Sequence, residues 1–298
     1  MGKVSLSKIG LIHLSVVYVV WSSTYLAIRV AVEEGSGFPP FTMGASRLVI
    51  AGLVLFAFAY LRKNKIIGTA RELLTVSISG FLMWGVSNGL LLWAEQYTRS
   101  GLASLLISTT PMWAALLDSA LAKKTPSPLL VGSIVLGLLG VAVLMFPAFR
   151  VGGSTDFISG LLLVGASLSW AAGSVYQKRN PTAIHDTVFA AYQLFVGGCS
   201  MFIMSWLTDE PIPHPTHGAW LAWGYLIIFG SVIAFNSYVI ALRRLPINVM
   251  MTYGFVNPIL AVFLGWLILD EKITGLTVAG AVLVVLGVVG VFRQQTKM

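Results

Sequence analysis

The chain has 298 residues, of which 57% are hydrophobic and 10% charged. A soluble domain carries about a quarter charged residues, so this balance excludes an ordinary globular protein and belongs to a chain solvated by lipid. The formal charge of +8 would suit a nucleic-acid partner, but the placement of the basic residues, given below, excludes one.

A helix needs roughly 20 apolar residues to cross about 30 Å of hydrocarbon. Ten stretches meet that requirement: 9–32, 41–61, 73–95, 100–121, 128–147, 157–177, 186–207, 218–241, 247–269 and 274–292. The first follows a short basic start, Met1 to Lys8, and is long enough to remain as a spanning helix rather than serve as a cleaved signal. Breaks at Gly35 to Pro40, Lys123 to Pro128, Gly152 to Thr155, Asp209 to Pro215 and Arg243 to Pro246 carry the residues that interrupt helices. The thinnest breaks are 96–99 and 242–246. Cys199, in the seventh span, reads as a buried, inert thiol. One cysteine and four histidines offer little for a metal site, and no cofactor is implied.

Lysine and arginine set the orientation. Fourteen of the nineteen fall on one side: Lys3, Lys8, the 62–71 loop, Lys123, Lys124, Lys178, Arg179, Arg243, Arg244, Arg293 and Lys297. Glu33, Glu34, Glu95, Asp156, Asp209, Glu210, Asp270 and Glu271 fall on the other. The bias places both termini in the cytoplasm, in a multi-pass protein of the cytoplasmic membrane.

The sequence also repeats weakly at a shift of about 146 to 150 residues. Trp21-Ser22-Ser23 matches Trp170-Ala171-Ala172. Arg47-Leu48 with Gly52 matches Gln193-Leu194 with Gly198. Pro111 matches Pro258, and the glycine steps at 137–140 match those at 287–290. Five spans per half is an odd number, so the second half enters the membrane inverted. Inverted repeats let a carrier expose a midplane site to either side. The expected organisation is therefore all-α, with ten transmembrane helices in two inverted five-helix repeats, 1–150 and 151–298.

With Trp21-Ser22-Ser23, Arg47, and the stretch from Asn257-Pro258 through Leu269-Asp270-Glu271-Lys272 to Gly280 and Gly287–Gly290, the chain resembles the drug/metabolite transporter superfamily, in its ten-span branch with two EamA domains. It departs from the pattern at Lys123-Lys124, where the second half has Asp270-Glu271. The resemblance implies a secondary transporter, not an enzyme, that exports small polar metabolites with amino acids as the leading class. Its partners are then a small-molecule substrate and membrane lipid, as a monomer or a homodimer.

Candidate site residues follow from depth. Trp93, Trp206, Trp220, Trp223 and Trp266 lie near span ends and read as an interfacial belt. Trp21, Trp84, Trp113 and Trp170 lie near mid-depth, where a ring with one N–H donor suits a cavity wall as well as it suits packing. Ser22, Ser23, Asn88, Asn236, Tyr253 and Asn257 are polar neighbours that would complete a substrate path through spans 1, 3, 4, 6, 8 and 9. For the serines, close helix contact is the blander reading. Pro111 and Pro258 are paired hinge candidates, or static kinks. Arg47 lies inside span 2, where a buried charge needs protein or water around it. A structural bond is one reading of it, and a substrate carboxylate is the sharper one. Asp118 reads as a helix-end ion pair with Lys123 or Lys124. The glycine steps of spans 5 and 10 read as packing surfaces, within the bundle or between two copies. No Asp or Glu is placed deep in a span, so no coupling ion is read. A membrane-embedded enzyme would need a catalytic constellation at depth, and none is found; a channel would not need the repeat.

Overall fold

The computed structural model describes residues 7–123, 125, 127–151 and 154–295. Lys3, Lys124, Gly152 and Lys297, on which part of the charge and loop reading rests, lie outside the described residues. Every regular element among the described residues is helical. Seven helices are long and apolar enough to cross a membrane, and three shorter apolar ones stand at the remaining expected spans.

The ten helices are α1 Lys8–Val32, α2 Pro40–Leu61, α3 Ala70–Glu95, α4 Ser100–Leu121, α5 Pro128–Val151, α6 Ser154–Arg179, α7 Asp186–Leu207, α8 His217–Arg244, α9 Tyr253–Leu269 and α10 Gly275–Gln295. A single turn, Ile247–Met250, precedes α9. The thin break expected at 242–246 is shorter still, because α8 runs on to Arg244 and Leu245-Pro246 make the turn.

Local chemistry explains the starts. Ser7 accepts from the Gly10 N–H to cap α1. Thr69 and Glu72 form a reciprocal capping box on α3, and Thr216 accepts from the Ala219 N–H on α8. Two starts are capped from far away in sequence. The Glu210 carboxylate accepts the N–H groups of Phe41 and Thr42 at 2.8 and 2.6 Å. Glu271 accepts those of Ser100 and Gly101 at 2.8 and 3.0 Å. Free N–H groups at a helix start attract negative charge, so these two acids hold the loops 209–215 and 270–274 against α2 and α4. Gly37, at φ +75°, lets the 33–39 loop lie directly against the backbone at His214, where the His214 N–H donates to the Gly37 carbonyl. The loops 33–39, 96–99, 209–215 and 270–274 thus share one end of the bundle.

At the other end lie 62–69, the close of α4 at 122–123 and 180–186. There Asp186 pairs with Arg243 at 2.9 Å and with Arg244. Glu72 accepts the Ala183 N–H. Asp118 pairs with Arg179 at 2.8 Å rather than with Lys123, because α4 and α6 end side by side; the other expected partner, Lys124, lies outside the described residues.

Helices related by the sequence repeat meet one another. On α2 and α7, a Cβ on Gly52 would lie 3.1 Å from the Ala191 oxygen, and one on Gly198 would lie 2.9 Å from the Val49 nitrogen. On α5 and α10, a Cβ on Gly140 would lie 2.7 Å from the Val284 nitrogen. One on Gly287 would lie 2.7 Å from the Gly137 nitrogen. Lipid tails are as apolar as leucine, so such helices associate by close packing of small residues. The glycine steps of spans 5 and 10 are therefore used inside the bundle, against each other. Cys199 is exposed, not buried. Gly197 and Gly198 face α3 and α2, and one residue further round the helix turns the thiol to the lipid side.

Candidate functional site

α3 and α8 widen at mid-depth. Residues Phe81–Ser87 of α3 and Leu226–Phe235 of α8 form π-helical turns. Such wide turns loosen the backbone ladder and concentrate at functional sites. A carbonyl in each is taken by a side chain from a helix of the other half. Trp21 Nε1 donates to the Gly230 oxygen at 3.2 Å, and Ser169 Oγ donates to the Leu82 oxygen at 2.7 Å.

Between them sits a connected aromatic cluster. Trp21 meets Trp170 edge-on at 5.5 Å and stacks on Tyr238 at 5.1 Å. Tyr253 closes on Trp21 at 5.6 Å. Trp84 packs edge-on against Trp170 at 5.5 Å and Phe235 at 4.7 Å. Edge-to-face pairs at such separations are favourable beyond their burial, so the cluster is a stiff layer across the bundle.

A cavity of about 60 Å³ lies against this layer, lined by Trp21, Thr24, Tyr25, Ile28, Arg47, Trp84, Ser87, Asn88, Leu91, Ile107, Trp170 and Tyr253. That is well above the roughly 10–15 Å³ needed to admit a water. Following the helices from Trp21 to Ile28 and from Trp84 to Leu91 leads toward the 33–39 end. The cavity is therefore on that side of the aromatic layer. A second, more open hollow of about 540 Å³ lies among the 33–39 and 208–214 loops, with Glu33, Glu34, Asp209 and Glu210 on its walls.

The structure brings together Trp21, Trp84, Asn88, Trp170, Tyr253 and Arg47 at the cavity. It places the other candidates elsewhere. Ser22 is buried and donates toward Asn257 Oδ1 at 3.3 Å, between α1 and α9. Ser23 bonds the Tyr225 hydroxyl at 2.6 Å. Trp113 and Asn236 pack outside the lining, though Trp113 Nε1 and Asn236 Oδ1 are buried without a hydrogen-bond partner. α8 backs the cavity through Phe235 and Tyr238 instead of lining it, and α2 supplies Arg47 in its place. Helix rotation decides each of these, and rotation is invisible in a run that is apolar on all sides. Pro111 begins the second half of α4, which is interrupted at 108–109. Pro258 lies within α9, and the interruption there falls earlier, at 251–252. The two broken helices cross where a Cβ on Gly254 would meet Pro111 Cγ at 2.8 Å.

Arg47 is 2% exposed. Its Nε donates to Ser231 Oγ at 3.0 Å, its guanidinium lies 5.5 Å from the Trp84 ring centre, and Nη1 has no partner. Gln193, its repeat counterpart, makes the mirrored contact, donating from Nε2 to Ser79 Oγ at 2.7 Å. Trp84 Nε1 and Asn88 Oδ1 are also unpartnered. The wall is thus aromatic, with a few polar groups unsatisfied by the protein, which is the usual make-up of a small-molecule site.

One residue escaped the sequence reading. Glu95 was placed with the loop acids, yet it is 0% exposed and both carboxylate oxygens lack partners. Its position at the edge of an apolar run gave no sign that Arg29 and the 96–99 turn would fold over it. Arg29 donates to the backbone oxygens of Glu95 and Gln96, both at 2.7 Å.

Comparison with known proteins agrees with this architecture. The model of the EamA-like transporter family matches twice, over residues 8–146 and 158–293. The chain is similar to the "Uncharacterized inner membrane transporter YedA" of Escherichia coli K12, 34% identical over 279 residues, covering 91% of this chain and 88% of that one. It is 24% identical over 275 residues to the "Uncharacterized transporter YoaV" of Bacillus subtilis, over 91% and 92% of the two chains. It is 27% identical over 267 residues to the "S-adenosylmethionine/S-adenosylhomocysteine transporter" of Chlamydia trachomatis serovar L2, over 85% and 80%. A solved crystal structure superposes with a TM-score of 0.72 at 21% identity, covering 98% of this chain and 99% of the other, so the fold is shared.

Proposed function

Because this chain belongs to the EamA-like transporter family, we propose that it exports small polar metabolites, amino acids foremost, across the inner membrane by alternating access. The observation that carries the substrate class is Arg47. A buried guanidinium nitrogen without a partner is costly, and a carboxylate is its best-matched ligand. The aromatic wall suits side chains of varied shape, while the free Trp84 N–H group and Asn88 carbonyl suit polar ends. The Chlamydia relative is named for compounds that carry an α-amino-acid group, which is the same chemistry.

The mechanism rests on two features. The repeat-related helices pack pairwise at mid-depth, as two inverted halves, 1–150 and 151–298, would. The cavity is blocked on one side by the aromatic layer, so passage needs the halves to rock. Pro111 and Pro258, on the two helices interrupted near their crossing, are the hinge candidates. The basic bias at the 62–69 end supports cytoplasmic termini, which turns the 33–39 end and the cavity outward.

The test is uptake of a labelled amino-acid mixture by proteoliposomes, with Trp21→Ala and Trp170→Ala beside the wild type. Saturable uptake weakened by both substitutions is expected. Non-saturable flux, indifferent to both, would refute the carrier mechanism. Absence of uptake of every member would remove amino acids as the substrate class.

A further inference from the structure

Glu95 is a buried charge-bearing group that the substrate reading does not use. On α3, Ser87, Leu91 and Glu95 recur at four-residue spacing and so share one face. Ser87 and Leu91 line the cavity. Glu95 therefore stands about one turn beyond the lining, roughly 6 Å further toward the 33–39 end. Both of its oxygens are enclosed without a hydrogen-bond partner.

The groups that face it electrostatically come from each neighbouring element. Arg29 and Tyr25 lie on α1, Arg47 on α2 and Glu271 in the 270–274 loop. None makes an ion pair with it. Arg29 pairs with Glu33 at 3.5 Å and spends its Nη1 on backbone oxygens. Glu271 is held by the start of α4. The protein thus encloses a carboxyl group and supplies it with no counter-charge in contact. Enclosing an unpaired charge is expensive enough that such groups mark ion or proton paths in membrane proteins.

We infer that Glu95 is the proton site that couples this carrier to a pH gradient: its carboxyl is enclosed either with a proton or against a cationic group of the substrate, never bare. This rests on the exporter reading above and adds its energy source. At the 62–69 end, an arriving substrate ammonium displaces the proton, which leaves the Glu95 oxygen for water. At the 33–39 end the substrate departs and the carboxylate takes a proton from water. One O–H bond is broken and one formed per cycle, and one proton enters for each substrate exported. A zwitterion adds no net charge, so the proton-loaded form carries one positive charge more than the substrate-loaded form, and exchange is electrogenic.

Two measurements test this separately from the substrate reading. The first is infrared difference spectroscopy of the purified protein in lipid across a pH titration. A protonated-carboxyl band present at neutral pH in the wild type, absent in Glu95→Gln and shifted in Glu95→Asp, is expected. No such band, or one unchanged in Glu95→Gln, overturns the inference whatever the protein transports. The second is efflux of preloaded labelled amino acids from proteoliposomes, expressed for each variant as the rate with an imposed inward proton gradient over the rate without. A ratio of about tenfold is expected for the wild type, retained by Glu95→Asp and reduced to one in Glu95→Gln. Wild-type acceleration that survives in Glu95→Gln overturns the proposal. If no amino acid moves in the wild type, the substrate reading fails while the infrared result still decides the role of Glu95.

Discussion

Replacing Arg47 by Gln removes the charge while keeping a donor that still reaches toward Ser231. Arg47 uses Nε on Ser231 and leaves Nη1 open at the cavity, so a substrate carboxylate gains one new charge-assisted hydrogen bond there. Such bonds contribute about 1.5–3 kcal/mol, and about 1.4 kcal/mol is tenfold in affinity. The half-saturation concentration for a carboxylate-bearing substrate should therefore rise roughly tenfold to a hundredfold. Arg47→Lys keeps the charge but not the fork that serves Ser231 and ligand together, so it should fall between. The assay is counterflow in proteoliposomes, with the melting temperature of each variant measured alongside. A folded Arg47→Gln protein whose half-saturation stays within about twofold of wild type would refute the anchoring argument. Arg47 would then be a structural link between α2 and α8.

Three further outcomes follow from the packing. Gly140→Ala puts a methyl 2.7 Å from the Val284 nitrogen, well inside ordinary contact, so overpacking of about 1–3 kcal/mol should lower the midpoint of unfolding in detergent; an unchanged midpoint would mean that α5 and α10 separate freely. Glu210→Ala removes the remote cap of α2 and should destabilise by about 1 kcal/mol, whereas exposed Glu34→Ala should stay within about 0.5 kcal/mol; equal effects would speak against the capping role. Asp186→Asn weakens the ties to Arg243 and Arg244, and in a Cys199→Ala background it should speed maleimide labelling of a cysteine replacing buried Leu242. Equal labelling rates with and without Asp186→Asn would show that this cluster does not hold the 62–69 end shut.

Lipid makes some of this architecture legible in one dimension. Each crossing must be long, apolar and internally hydrogen-bonded, so the ten spans read directly. Facing did not read. α2 and α7 are apolar on every side, so nothing in the local pattern turned Cys199 outward or Arg47 into the cavity. Trp113 matched Trp84 in depth yet points away from the lining because α4 breaks at 108–109. The π turns of α3 and α8 leave no compositional mark, since they arise from tertiary contacts to Trp21 and Ser169. Asp118 chose Arg179, 61 residues away, over Lys123, because helix ends placed side by side outweigh proximity in sequence.

The bond from Arg47 to Ser231 spans 184 residues. A ribosome adds about 5–20 residues per second, so Arg47 is synthesised roughly 9–37 s before its acceptor. Throughout that interval a charged side chain sits in a half-built bundle, together with Ser79, whose Gln193 donor also arrives late. The nascent first helices are thus poor candidates for release into free lipid. The insertion machinery has reason to retain α2 and α3 until α7 and α8 are delivered.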